Sequence, residues 1–211
     1  MKKRAVLFDI DGTLIDTWDF VIGAFKYTLI LHNHPEPSEK FIKSLIGRPL
    51  LEFYKAAFPN IEDVTQFAKT HHDYQKGKFD LGKPFPKARE TLEKLKAERF
   101  FIAAISNRTK KSLHKSLKIA KLYKLFDVIL SAEDVKNPKP HKEHLMVALN
   151  FLKVSPVNAF MVGDTDHDVL AGKNAGVKTI GVTYGFSGKK IKNHNPDFVI
   201  DNLEKLLKVV K

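Results

Sequence analysis

The sequence predicts an α/β fold: a parallel sheet covered by helices on both faces, with a small α-helical insert after the first strand. Three observations predict it. Short apolar runs at residues 5–8, 100–105 and 159–162 each stop abruptly in polar residues, as fully buried strands do. From residue 83 onward such runs alternate with helical periodicity, which implies right-handed crossovers and a parallel sheet. Between residues 15 and 82 the periodicity is helical only.

The elements follow in chain order. The first strand ends in Asp9, Ile10 and Asp11, with Gly12 and Thr13 next. Trp18, Ile22, Phe25 and Leu29 then share one face of a helix expected from residue 16 to about 33. His32 and His34, beside Pro35, are expected to be solvated. Ser38 can cap a short helix to residue 45. Gly47-Arg48-Pro49 breaks it, and a second runs over residues 50–58. Asp63 opens a longer helix with Val64, Phe67, Ala68 and His71 on one face; His71 reads as an interface histidine, and His72 should point outward.

At Gly82-Lys83-Pro84-Phe85-Pro86 the pattern changes. Ala88, Leu92 and Leu95 mark a helix, 100–105 a strand, Leu113, Leu117 and Ala120 a helix, and 128–130 a short strand. Leu145, Leu149 and Leu152 mark the next helix and 159–162 the next strand. A helix to Ala175, strands at 177–182 and 198–200, and a helix over 203–210 complete the pattern. The domain boundaries expected are a core of residues 1–14 and 83–211 and a helical cap of residues 15–82.

Composition narrows the function. The chain has 211 residues, 43% hydrophobic and 28% charged, the make-up of a soluble globular protein. It has no cysteine, which excludes disulfide and thiol chemistry and fits a cytoplasmic location. The basic start resembles the head of a signal peptide, but Asp9 and Asp11 break the apolar run behind it. No stretch approaches the ~18 apolar residues of a membrane span, so no membrane partner is expected. The net charge of +12 is spread along the chain without a basic helix or RNA-binding motif, so no nucleic-acid partner is expected either. A positive field still favours anionic substrates.

Four polar strand or loop ends carry the candidate chemistry. Asp9 and Asp11, two residues apart on an extended chain, share a face, and two close acids call for a divalent cation between them. The alternative is a solvated turn. Ser106-Asn107 can donate to a phosphoryl oxygen or simply cap the helix that Thr109 opens. Lys139 is bracketed by Pro138 and Pro140, which suits an aimed ammonium or a stiff surface loop. Asp164, Asp166 and Asp168 alternate after a strand; they suit Mg2+ ligation, or in part helix capping.

Asp-Ile-Asp-Gly-Thr after an apolar strand, a strand-end Ser106, Lys139 before Pro140, and Gly-Asp-x-x-x-Asp at 163–168 come in the order of motifs I to IV of the haloacid dehalogenase-like (HAD) hydrolase superfamily, which the chain resembles. The flanks Pro-Phe-Pro-Lys-Ala-Arg-Glu-Thr-Leu, Leu-Phe-Asp-Val-Ile-Leu-Ser-Ala-Glu-Asp-Val and Pro-Asp-Phe-Val-Ile-Asp-Asn-Leu are similar to its phosphoglycolate phosphatase and β-phosphoglucomutase branch. The resemblance implies a Rossmann-like, three-layer α/β/α core with a helical cap inserted after motif I.

It also implies roles. Asp9 is the nucleophile and Asp11 the general acid/base. Mg2+ is held by Asp9, the backbone carbonyl of Asp11, and Asp164, with Asp168 orienting that shell or the lysine. Thr13, Ser106, Asn107 and Lys139 bind the phosphoryl group. Arg48 faces the site from the cap, to meet a carboxylate or second phosphate, or else stays a surface arginine. The activity implied is a Mg2+-dependent phosphatase for a small phosphorylated metabolite, phosphoglycolate- or sugar-phosphate-like, acting as a monomer or homodimer. The alternatives are β-phosphoglucomutase-like transfer, pyrophosphatase activity, or a non-catalytic binding module. Asp11 argues against a dehalogenase, which lacks the second Asp, and Val21 stands where mutases often carry a cap histidine.

Overall fold

The computed structural model describes residues 2–36 and 38–211; Met1 of the expected core and Pro37 of the expected cap lie outside them. In chain order the elements are β1 (Arg4–Phe8), β2 (Ile15–Asp16), α1 (Trp18–Leu31), α2 (Glu39–Leu45), α3 (Leu50–Ala57), α4 (Thr65–Gln75), β3 (Lys83–Pro84), α5 (Ala88–Ala97) and β4 (Phe100–Ile105). There follow α6 (Lys110–Ile119), β5 (Val128–Leu130), α7 (Glu143–Leu152), β6 (Ala159–Gly163), α8 (Asp166–Ala175), β7 (Lys178–Val182), β8 (Phe198–Ile200) and α9 (Leu206–Val209).

Six strands form one parallel sheet in the order β5-β4-β1-β6-β7-β8. The side-chain alternation of β1 shows how it is buried. Val6 and Phe8 pack with Leu92 of α5, Leu113 of α6 and Leu206 of α9 on one face. Ala5 and Leu7 pack with Leu145 and Leu149 of α7 and Ala171 of α8 on the other. A strand buried on both faces must be apolar throughout, which is why β1, β4 and β6 were legible as continuous runs. The observed sheet and its two helical layers are the predicted α/β/α, Rossmann-like architecture.

The four helices α1–α4 bury a separate cluster around Phe25, Ile42, Phe53, Tyr54 and Phe67. The chain leaves the sheet for them through β2 and returns through β3, and these two short strands pair antiparallel, Ile15 against Pro84. This ribbon corrects the expected start of the first helix. Residues 15–16 are extended, and Asp16 accepts a hydrogen bond of 3.1 Å from the Trp18 amide. The fourth helix likewise starts at Thr65, whose amide donates to Asp63, and the last helix is preceded by a 3-10 turn at Leu203–Lys205.

The histidines also depart from expectation. His32 and His34 are half-buried rather than solvated. His32 stacks on Phe67 at 4.2 Å and bonds Thr70 at 3.0 Å, and His34 leans on Phe58 and Phe67. His71 is the interface histidine expected, bonded to Tyr54 and to Gln75, each at 3.0 Å. His72 turns inward to a cleft, because α4 lies over the core rather than on open surface. No helix among the described residues is long and apolar enough to cross a membrane.

Two buried histidines set a pH response. Burial pushes His71 down to about 3 and His144, bonded through Nε2 to the Ser131 carbonyl, down to about 4. An unfolded histidine takes up its proton near 6.5. The stability these depressed values contribute is therefore present above pH 6.5 and lost as pH falls toward 4. Asp9 and Asp164, raised in the folded protein, act in the opposite sense, so the His71 contribution is read by difference: any advantage in urea midpoint of the parent over His71→Leu is expected to shrink as pH falls from 6.5 to 4.5.

Candidate active site

The direction of sheet growth reverses at β1: β4 and β5 lie on one side, β6, β7 and β8 on the other. Loops leaving adjacent strands in opposite directions open a crevice at the strands' carboxyl ends. Asp9 and Asp11 stand there directly after β1, Ser106-Asn107-Arg108 after β4, and Asp164 after β6. The loop entering α7 brings in Lys139.

Lys139 is the centre of the site. Its buried ammonium donates 2.6 Å bonds to Asp9 Oδ1 and Asp168 Oδ1, and a third of 3.1 Å to the carbonyl of Ile105, using all its protons. Asp168 is also fully engaged. Its Oδ2 accepts from the amide and hydroxyl of Thr165, completing the capping box of α8. Asp168 thus caps α8 with one oxygen and holds Lys139 with the other. The second oxygen of Asp9 has no hydrogen-bond partner among the described residues.

Asp164 is held on the other side. The amide of Phe186 donates to its Oδ2 at 2.7 Å, and Thr13 Oγ1 to its Oδ1 at 3.3 Å. Thr13 thus corrects the phosphate-binding expectation: its hydroxyl is fully buried against Asp164, outside the cleft lining, and Tyr184 donates to its carbonyl. Asp164 also explains two glycines. Gly12 has φ of +78°, and a Cβ there would lie 2.4 Å from Asp164 Oδ2; one on Gly185 would lie 2.3 Å from the Gly12 carbonyl oxygen. Gly185→Ala must displace backbone or Asp164 itself. It should cost about 1–3 kcal/mol and raise the Mg2+ concentration needed for half-maximal stabilisation, read by thermal unfolding against added metal.

Carboxylate oxygens of Asp9, Asp164 and Asp168 lie within 4.8 Å of one another, all three residues buried. One ammonium cannot neutralise three carboxylates. Burial accordingly pushes Asp9 up to about 8 against the pull of Lys139, and burial with the neighbouring acids holds Asp164 well above the usual range. Burial opposes the Lys139 charge, but Asp168 and Asp9 outweigh it and hold its pKa above normal. Residual negative charge on hard oxygen donors suits a divalent cation such as Mg2+. Asp168 is the most heavily bonded of the three, and Asp9 keeps one oxygen without a hydrogen-bond partner among the described residues. The carboxylate of Asp11 is not in this cluster, which leaves the expected ligand at Asp11 to its backbone carbonyl.

Instead, Asp11 Oδ1 accepts a 3.0 Å bond from Arg108, a residue the sequence reading missed. Arg108 is fixed by Ser112 and lies 4.9 Å over the Phe20 ring. Its signal was a lone cation following Ser106-Asn107, indistinguishable in sequence from a surface arginine. Ser106 is buried at the cleft, with its Oγ accepting from the Arg108 amide. The Asn107 side chain is committed elsewhere. It donates to the carbonyls of Gly47 and Lys139 and accepts from the Lys139 amide, which leaves only its backbone for a phosphoryl group. Arg48 lines the cleft from the loop between α2 and α3, exposed.

Fold and site together define a Rossmann-like α/β core whose buried carboxylates stand at the reversal of the sheet. The chain belongs to the haloacid dehalogenase-like hydrolases, whose family profile matches residues 6–182. It is 32% identical over 213 residues to the pyrophosphatase PpaX of Bacillus anthracis, covering 100% of this chain and 97% of that protein. Among solved structures it resembles a haloacid dehalogenase-like family hydrolase of Streptococcus pneumoniae, at 25% identity and a TM-score of 0.86, with 99% of each chain covered. It also resembles the structure of a proposed β-phosphoglucomutase from Thermotoga maritima, at 28% identity and a TM-score of 0.74, covering 100% of this chain and 98% of the other.

Proposed function

We propose that the protein is a Mg2+-dependent phosphatase that hydrolyses small phosphorylated metabolites through an aspartyl phosphate on Asp9. The observation that carries this reading is the Lys139 ammonium bridging Asp9 and Asp168 at 2.6 Å. It fixes one oxygen of Asp9 and leaves the other facing the cleft. That oxygen attacks phosphorus in line; the P–O bond to the leaving group breaks as Asp11 gives the departing oxygen its proton. Asp11 then takes a proton from water, which attacks phosphorus and frees Asp9. Arg108 keeps Asp11 pointed at the reaction coordinate. Ser106 and the Asn107 amide meet the phosphoryl oxygens, and Lys139, its protons committed to Asp9, Asp168 and Ile105, favours them through its charge. Asp9, Asp164 and the Asp11 carbonyl would hold Mg2+, which would neutralise phosphoryl charge.

Residues 15–82 act as a cap over this centre, opening for substrate and closing against water. The absence of cysteine fits work in the cytoplasm. Val21 lines the cleft without a titratable group, which supports hydrolysis over mutase chemistry. Pyrophosphate hydrolysis is the second reading, favoured by the full-length likeness to PpaX. A panel of phosphoglycolate, sugar phosphates, nucleotides and pyrophosphate, with Mg2+ or with EDTA, tests the proposal. Phosphate release that EDTA abolishes is expected; no release from any compound would refute it.

A further inference from the structure

The cleft above Asp9 encloses about 530 Å³. Cavities of that size hold organic ligands of many atoms, not a small inorganic anion. Its floor is polar, formed by the residues that face the phosphoryl group, and Thr65, His71, His72 and Gln75 of α4 add polar groups above it. The remaining walls are largely apolar: Val21 and Phe25 of α1, Ile46 and Leu50 around the start of α3, Phe53, and Ala68 of α4. Phe25 and Phe53 stack on each other at 3.7 Å and present a rigid ring surface.

Such walls discriminate between leaving groups. A second phosphate or a carboxylate pressed against them gives up water and gains no partner. The deep polar groups do not change this. His71 and Gln75 satisfy each other and Tyr54, burial keeps His71 neutral, and the Arg108 guanidinium is committed to Asp11 and Ser112. Arg48 and Lys69 lie exposed at the rim. An apolar body, by contrast, removes both its own surface and that of the walls from water.

We infer that the substrate is a phosphomonoester whose alcohol carries an apolar body of ring size, lodged among α1, α3 and α4 with its phosphate over Asp9. Pyrophosphate and phosphoglycolate fill the floor and leave the rest of the cleft wet. The inference rests on the phosphatase reading and narrows it.

Ethyl, 2-phenylethyl and 4-phenylbutyl phosphate share an unactivated primary alkoxide leaving group, so they differ in what reaches the walls and little in the chemical step. kcat/KM is expected to rise about tenfold or more along the series, chiefly through KM. Ala68→Phe and, independently, Val21→Phe fill the cavity and should pull the phenylbutyl-to-ethyl ratio toward unity. A flat series, a ratio that neither folded variant moves, or pyrophosphate preferred over every ester overturns the inference. Hydrolysis of ethyl phosphate with a flat series removes only the substrate class. No release from any ester or from pyrophosphate removes the phosphatase reading with it.

Discussion

Lys139→Met is expected to destabilise the protein by about 3–5 kcal/mol, the cost typical of leaving a buried charge without its partner. Here the cation lost stands among three crowded acids. Asp9, Asp164 and Asp168 lie within 4.8 Å of one another, and Lys139 donates directly to two of them. The methionine fills similar volume, so packing alone predicts far less. Chemical denaturation of the metal-free protein measures the effect. Turnover should fall by roughly 100-fold or more even where the chain folds, because the ammonium also faces the phosphoryl oxygens. A variant as stable as the parent would show that Lys139 does not balance the acid cluster.

Asp9→Asn separates chemistry from stability in the opposite way. It removes the proposed nucleophile and should lower turnover by roughly 10⁴-fold or more. It also removes one of three crowded carboxylates, and burial already pushes that carboxyl up to about 8. Lys139 keeps Asp168 as its partner at 2.6 Å. The metal-free variant is therefore expected to unfold within about 1 kcal/mol of the parent, or later than it. Phosphate release measured beside urea denaturation checks both halves. Retained turnover would take the nucleophile's role from Asp9.

The contrast between these residues explains what was legible beforehand. β1, β4 and β6 could be read because burial on both faces forces unbroken apolar runs. Asp9, Asp164 and Lys139 could be read because each departs sharply from its local pattern: acids at the ends of apolar strands, a lysine between prolines. Arg108 could not be read, because its meaning comes from Asp11, brought alongside only when β4 pairs with β1. Thr13 was misplaced for the same reason, since its partner Asp164 arrives with β6. The inward turn of His72 depends on α4 lying over the core, which no helical periodicity records. The β2–β3 ribbon was invisible because two residues are too few to show alternation.

That ribbon has a consequence for how such a protein can diversify. Because Ile15 and Pro84 sit side by side, the chain departs and returns through a single doorway at the edge of the catalytic floor. A polypeptide whose two ends meet at that spacing could enter and leave there without interrupting the sheet that carries Asp9 and Asp164. Selection on what the enzyme accepts is thereby uncoupled from selection on what it does. The insert can be traded, lengthened or rebuilt like an interchangeable tool head, while the shank that drives it stays the same.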